Sequence, residues 1–319
     1  MISGGTSLPG SNPMAANGLI KGVVCALLIF LYSPAYSQIA KDGNGQLSFV
    51  LHLMNQGEYD LALLELERFA FLFPQSGSLD RVNLIKGACH LEAGRYEKAR
   101  EQFDEVIAKS KDSGIANRAM LFMAESFFRQ GRIKDSEYYF NIVAEGRSEP
   151  ALRQAALYRL GWTRMKANDW KEASRLLLSV EGEGELAQSA GEISLLVIKG
   201  NELSLKDPST AGLLAGVIPG LGHAYVGRYR DAAAAFTVNA LFIWAALEAF
   251  YNENYVLAGM LGFLEAGWYA GNIYSAVNSA QKHNRRLQEE FRGSFTDRLR
   301  IMPLLSGGGD IGVSFSFRY

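Results

Sequence analysis

"EAGRYEKAREQFDEV", residues 92–106, returns in outline as "NQGEYDLALLELERF" at 55–69, "RQGRIKDSEYYFNIV" at 129–143 and "KANDWKEASRLLLSV" at 166–180. Gly57, Gly94, Gly131 and Asn168 fall at one position, 37 residues apart each time. The same register aligns Tyr59, Tyr96, Ile133 and Trp170, then Ala62, Ala99, Ser136 and Ala173, then Leu66, Phe103, Phe140 and Leu177. Seven residues before each turn stand Val50, Gly87, Ala124 and Gly161. A fixed period of this length marks stacked helix pairs, because one pair cannot bury its apolar face alone. Gly or Asn supplies the positive backbone angle at the turn. The small columns let helices approach, and the aromatic and aliphatic columns fill the space between layers.

The pattern resembles the tetratricopeptide repeat, with Pro74 in the slot where a unit of that family ends. The three residues beyond the usual period fall in the connections. The resemblance implies a mainly α fold, a tetratricopeptide-like solenoid of about four to five helix pairs over residues 46–205. It also implies a groove that binds proteins or peptides. The polar or aromatic residues available on the first helix of each pair are His52, Asn55, Asn83, His90, Glu125, Phe128, Tyr158 and Arg159. The plain alternative is that each is merely solvated or packed. No catalytic set, metal cluster or cofactor motif accompanies them, since His52 and His90 stand alone. "EGEGE" at 181–185 lacks the oxygen ligands of a calcium loop and reads as a hinge before a capping helix near 186–204.

On the N-terminal side, Lys21 precedes "GVVCALLIFLY", and small residues Ala35 and Ser37 follow. That reads as an export signal over residues 1–37, cleaved after Ser37, with an uncleaved anchor as the alternative. Met14 is an alternative start. Cleavage would leave Cys89 as the one cysteine, a buried thiol without a disulfide partner. The formal net charge of -1 offers no global attraction for nucleic acid, and no nucleic-acid partner is expected.

The composition changes after "SLKDPST", where Pro208 stops a helix and Ser209 and Thr210 can cap the next. Residues 232–251 and 256–277 are two nearly continuous apolar runs joined by "NEN", each about long enough to cross a bilayer. They read as a membrane hairpin within residues 206–284. Inside it, Glu265 is expected to face the hairpin interior, with Asn239 as a polar partner. Gly267 and Gly271 are spaced for close helix approach. "PGLGHAYVGRYRDA" just ahead of the hairpin resembles the entry motif of small bacterial membrane-hairpin domains with a Pro-Gly-x-Gly-x-x-Tyr-x-Gly core. Pro219, Gly220, Gly222, Tyr225 and Gly227 match that core, and His223 sits where Gln is as readily expected. The resemblance implies a membrane location and contact with lipid, without an activity.

A phosphate loop would follow a strand and carry Lys with Ser or Thr, which this stretch does not, so it reads as a hinge at a membrane surface. Arg228, Arg230, Lys282, Arg285 and Arg286 flank the hairpin and favour cytoplasmic flanks, whereas the export signal places the repeats in the periplasm. The export signal is given precedence, because an already translocated domain overrides the charge bias. Residues 285–319 are expected to form a charged helix and a β segment, with "DIGVSFSFRY" alternating so that Ile311, Val313, Phe315, Phe317 and Tyr319 share a face.

The reading is an exported scaffold without chemistry of its own, tethered to an inner or outer envelope membrane and able to oligomerise through its hairpin. The alternative is a transport or export component whose hairpins gather around Glu265. A hydrolase built on His223 ranks third, since no nucleophile, base and orienter can be named.

Overall fold

The computed structural model describes residues 43–305 and 311–317. The expected export signal at 1–37, residues 306–310 and Tyr319 lie outside the described residues. Within each unit helices pair as the period requires: α1 (Gly43–Gln56) with α2 (Tyr59–Leu72) and α3 (Leu79–Glu92) with α4 (Tyr96–Lys109) in the first, followed there by α5 (Ser113–Arg129); the second opens with α6 (Ile133–Glu145) and pairs α7 (Pro150–Lys166) with α8 (Trp170–Leu178). A ninth, α9 (Glu185–Val197), continues into a 3-10 turn at Ile198–Glu202. The chain divides into two compact units, residues 1–132 with 300–315 and residues 133–299 with 316–319.

The turn column behaves as its chemistry dictates. Gly57, Gly94, Gly131 and Asn168 have φ of 83°, 73°, 80° and 60°, the left-handed region that glycine and asparagine tolerate best. The small column has a counterpart 16 residues later: Val50 with Leu66, Gly87 with Phe103, Ala124 with Phe140 and Gly161 with Leu177. At Gly87 an added Cβ would overlap the Phe103 ring, and at Gly161 it would overlap the Leu177 side chain. Glycine therefore stands where the second helix of its own pair lies too close for a methyl group. Phe103, Phe122, Phe140, Leu66 and Leu177 are all buried.

Beyond the repeats, α10 (Pro208–Val217) and the short α11 (Leu221–Tyr225) lead into α12 (Tyr229–Tyr251) and α13 (Tyr255–Gly293). Helices α12 and α13 form an antiparallel hairpin joined through Asn252 to Asn254, with Glu253 at φ 58° and the Asn254 side chain capping the Leu257 amide. Asp207 caps α10 by accepting from the Ser209 and Thr210 amides; Ser209 and Thr210 themselves are inside the first turn. Pro208 stands at the first helical position, where its missing N–H costs nothing.

Two further expectations need correction. The charged segment after 284 is not a separate helix, because α13 runs unbroken for 39 residues, about 58 Å at 1.5 Å per residue. Its far end is fixed to the fourth repeat: Phe291 meets Trp170 edge-on at 5.2 Å, and Arg292 donates to the Lys166 carbonyl at 3.1 Å and to Asn168 Oδ1 at 3.2 Å. Gly267 and Gly271 do not bring helices together, since nothing lies within 4 Å of a Cβ at either. The last described residues form a two-stranded sheet, β1 (Leu299–Leu305) against β2 (Ile311–Phe317).

Candidate functional site

The expected groove residues fall into three groups. His52 and Asn55, on α1, are exposed, and Asn83 and His90, on α3, are half-buried. Glu125 and Phe128 on α5, and Tyr158 and Arg159 on α7, are buried. Burial lowers the His90 pKa below its ordinary value, and the nearby Arg95 and Lys98 act in the same direction.

Arg159 is only 1% exposed and needs compensation for its charge. The C-terminal segment provides it. Arg159 Nη1 donates to both carboxylate oxygens of Asp297, at 2.8 and 2.7 Å, and Nη2 donates to the Leu299 carbonyl at 2.9 Å. Beside it the Tyr158 ring meets Phe317 edge-on at 6.2 Å, while its hydroxyl bonds Ser189 Oγ at 3.1 Å. In the first unit, Arg129 donates to Glu125 and to Glu92, both at 2.8 Å, and Arg300 of β1 reaches Glu92 at 3.4 Å. Burial alone would lower the Arg129 pKa, but Glu125 and Glu92 outweigh it and raise the pKa. Burial, with Glu92 nearby, pushes the Cys89 thiol up to about 12, so it is an inert core thiol.

A second feature lies at the base of the helical hairpin. The Pro219–Gly227 stretch is a packed turn-helix-turn, and its glycines have separate tasks. Gly220 has φ 86° and lies against the Ala232 carbonyl; Gly222 lies against the Ala211 carbonyl and the Ala276 and Ala215 methyls; Gly227 has φ 81° in open space. Pro219 is half-buried just before the left-handed Gly220. Tyr225 accepts a hydrogen bond from the Asp207 amide at 3.2 Å, and the Lys206 ammonium lies 4.9 Å from the centre of its ring.

Between this stretch, α12 and α13 opens a cleft of about 520 Å³, lined among others by His223, Arg228, Asp231, Trp268 and Asn272. Arg228 pairs with Asp231 at 2.5 Å and donates to Ser279 Oγ at 2.7 Å. His223 is 4% exposed and Asn272 6% exposed. His223 Nδ1 and both polar atoms of the Asn272 amide have no hydrogen-bond partner. Burial lowers the His223 pKa below its ordinary value, Arg228 adds to that, and Asp231 opposes it. Ser275 also lines the cleft, yet the unbonded Nδ1 of His223 and the pairing of Asp231 with Arg228 leave no Ser-His-Asp relay.

Nearer the hairpin tip, Glu265 is 7% exposed with neither carboxylate oxygen bonded. The expected bond to Asn239 does not form: Asn239 Nδ2 donates to the Ala235 carbonyl of its own helix at 2.6 Å. Among the described residues, no group of three or more His, Cys, Asp or Glu is placed to hold a metal ion.

Of two further positions that matter here, one has no signature in the sequence and the other has a weak one. Nothing in "TDRL" marks Asp297 as the counterion of Arg159, 138 residues away. Asn272 carried a signal that went unused, a lone amide within the apolar run of α13.

Comparison with known families assigns the repeated segment. Residues 47–114 and 90–151 match one model of the tetratricopeptide repeat, and residues 155–180 match another. These residues carry tetratricopeptide repeats. No curated protein matches the chain. Among solved structures it is similar to a tetratricopeptide repeat protein from Parabacteroides merdae, with 14% identity and a TM-score of 0.39, covering 78% of this chain and 96% of that one. Tetratricopeptide repeats are in general protein-interaction scaffolds without catalysis.

Proposed function

We propose that the protein is a membrane-tethered scaffold of the bacterial cell envelope, with its repeats in the periplasm and a protein or peptide as partner. The observation that carries the tether is the hairpin's exposure. Helix α12 is long and apolar enough to cross a membrane and only 11% of its most apolar window is buried, while Leu241, Trp244 and Phe250 on α12 and Phe263, Leu264 and Trp268 on α13 are exposed. Apolar surface of that extent in water marks a membrane or partner contact. The export-signal reading of residues 1–37 supports the periplasmic side.

The docked C-terminal segment indicates which partner chemistry the repeats accept. It places an Asp carboxylate on Arg159 and an aromatic ring on Tyr158, so a partner segment with an acidic and an aromatic residue fits the same face. Co-purification of partners with the full chain, repeated with Arg159→Met, tests this: loss of a partner supports the assignment, and an unchanged partner set refutes it.

One observation favours a second reading. Glu265 is buried without a bond inside its own chain, as expected if a second copy supplies the partner and the hairpins assemble into a transport or export component. Glu265→Gln should leave partner capture intact under the scaffold reading; lost solute flux with intact assembly would favour transport.

A further inference from the structure

The cleft at the hairpin base offers two pairs of groups of opposite polarity. One is ionic, Arg228 beside Asp231, about half exposed and able to turn toward a ligand. The other is the Asn272 amide, which holds one donor and one acceptor, both buried and unbonded. A buried amide left in this state is costly, and such groups are rare unless water, an ion or a ligand completes them. His223 adds a third unbonded polar atom on the same wall. A ligand that answers all of them carries a negative group with several acceptor oxygens and, a few ångströms away, a positive group with N–H donors. Gly267 and Gly271, which meet nothing, keep the cleft open between the two apolar helices.

We infer that this cleft binds the headgroup of an ethanolamine phospholipid, with the phosphate on Arg228, His223 and the Asn272 Nδ2 and the ammonium on Asp231 and the Asn272 Oδ1. The inference rests on the membrane reading proposed above. A phosphoglycerol headgroup supplies the phosphate but sets no cation against Asp231. A phosphocholine headgroup supplies a cation without the N–H donor that Asn272 Oδ1 needs. A cleft of about 520 Å³ is within the range of small-molecule sites.

The test uses the full chain in a non-ionic detergent, with native mass spectrometry of bound short-chain phosphatidylethanolamine, phosphatidylcholine and phosphatidylglycerol. One ethanolamine lipid per chain is expected, bound at least about tenfold more tightly than either competitor. Asp231→Asn should abolish the preference over phosphatidylglycerol. Gly271→Leu places a side chain in the cleft from a position where nothing lies within 4 Å of an added Cβ, so binding should vanish while the thermal midpoint stays level or rises, as glycine is a poor helix former. Equal binding of the three lipids overturns the inference, as does a folded Gly271→Leu protein that keeps the lipid. Displacement of the lipid by millimolar water-soluble O-phosphoethanolamine alone would assign the site to a free solute and overturn the lipid source. Flotation with vesicles of phosphatidylcholine alone separates the two levels of the claim. A chain that fails to float refutes the tether and the headgroup site together, whereas one that floats without headgroup preference refutes only the site.

Discussion

The complementarity between Gly87 and Phe103 makes a quantitative prediction about the repeats. A Cβ at Gly87 would lie 2.6 Å from Phe103 Cδ1 and 2.9 Å from Cζ, both inside contact distance, and both residues are buried. Relief requires the ring or α4 to move. Overpacking of this kind costs about 1–3 kcal/mol, against which replacing a helical glycine by alanine returns about 1 kcal/mol. Gly87→Ala should therefore destabilise by up to about 2 kcal/mol.

Phe103→Leu alone should cost about 1–2 kcal/mol by leaving space unfilled. In the double variant the new methyl occupies part of the vacated ring volume, so its loss should be no greater than that of Phe103→Leu. The coupling free energy is then at least as large as the whole loss measured for Gly87→Ala alone, up to about 2 kcal/mol. Native-state hydrogen exchange over Leu79–Lys109 reads the local opening free energy for the four members of the cycle. Strict additivity of the two losses would refute the idea that glycine is there to admit the ring.

Other expectations follow from single contacts. Asp297→Ala strands the buried Arg159 and should raise proteolytic cleavage within 295–305, with about 2–4 kcal/mol less protection; Arg159→Met, which removes the charge, should cost less. Equal protection in wild type and Asp297→Ala would contradict the docked tail. Gly220→Ala combines a positive φ with an overlap on the Ala232 carbonyl, and should lower the midpoint for the hairpin base far more than Gly227→Ala, where only the backbone angle is affected. Because the folded pKa of His90 lies below its ordinary 6.5, the unfolded chain binds more protons as pH falls from 6.5. The first unit should therefore lose stability as pH falls through that folded pKa, and His90→Gln should remove that part of the slope in urea melts taken across the range.

The repeats were legible because their determinants are local and periodic. Gly94 needs only its own backbone angle, and Gly87 and Phe103 are 16 residues apart across a single inter-helix turn. The docked tail was not legible, because Arg159 and Asp297 are far apart in sequence and neither has a local pattern. The unbroken α13 was within reach: no Gly or Pro interrupts residues 272–292, and only the change from apolar to charged composition suggested a boundary. For Gly267 and Gly271, a four-residue spacing says that two helices can approach, and cannot say that they do. The separate tasks of Gly220 and Gly222 depend on the carbonyls of Ala232 and Ala211, which only the packed structure brings beside them.

The central claim is that the hairpin holds a periplasmic scaffold to an envelope membrane. Separation of inner and outer membranes, followed by protease treatment of intact spheroplasts, tests it most directly. The chain should sediment with a membrane and its repeats should be digested without permeabilisation. A chain recovered in the soluble fraction, or repeats protected until the spheroplasts are lysed, would contradict it.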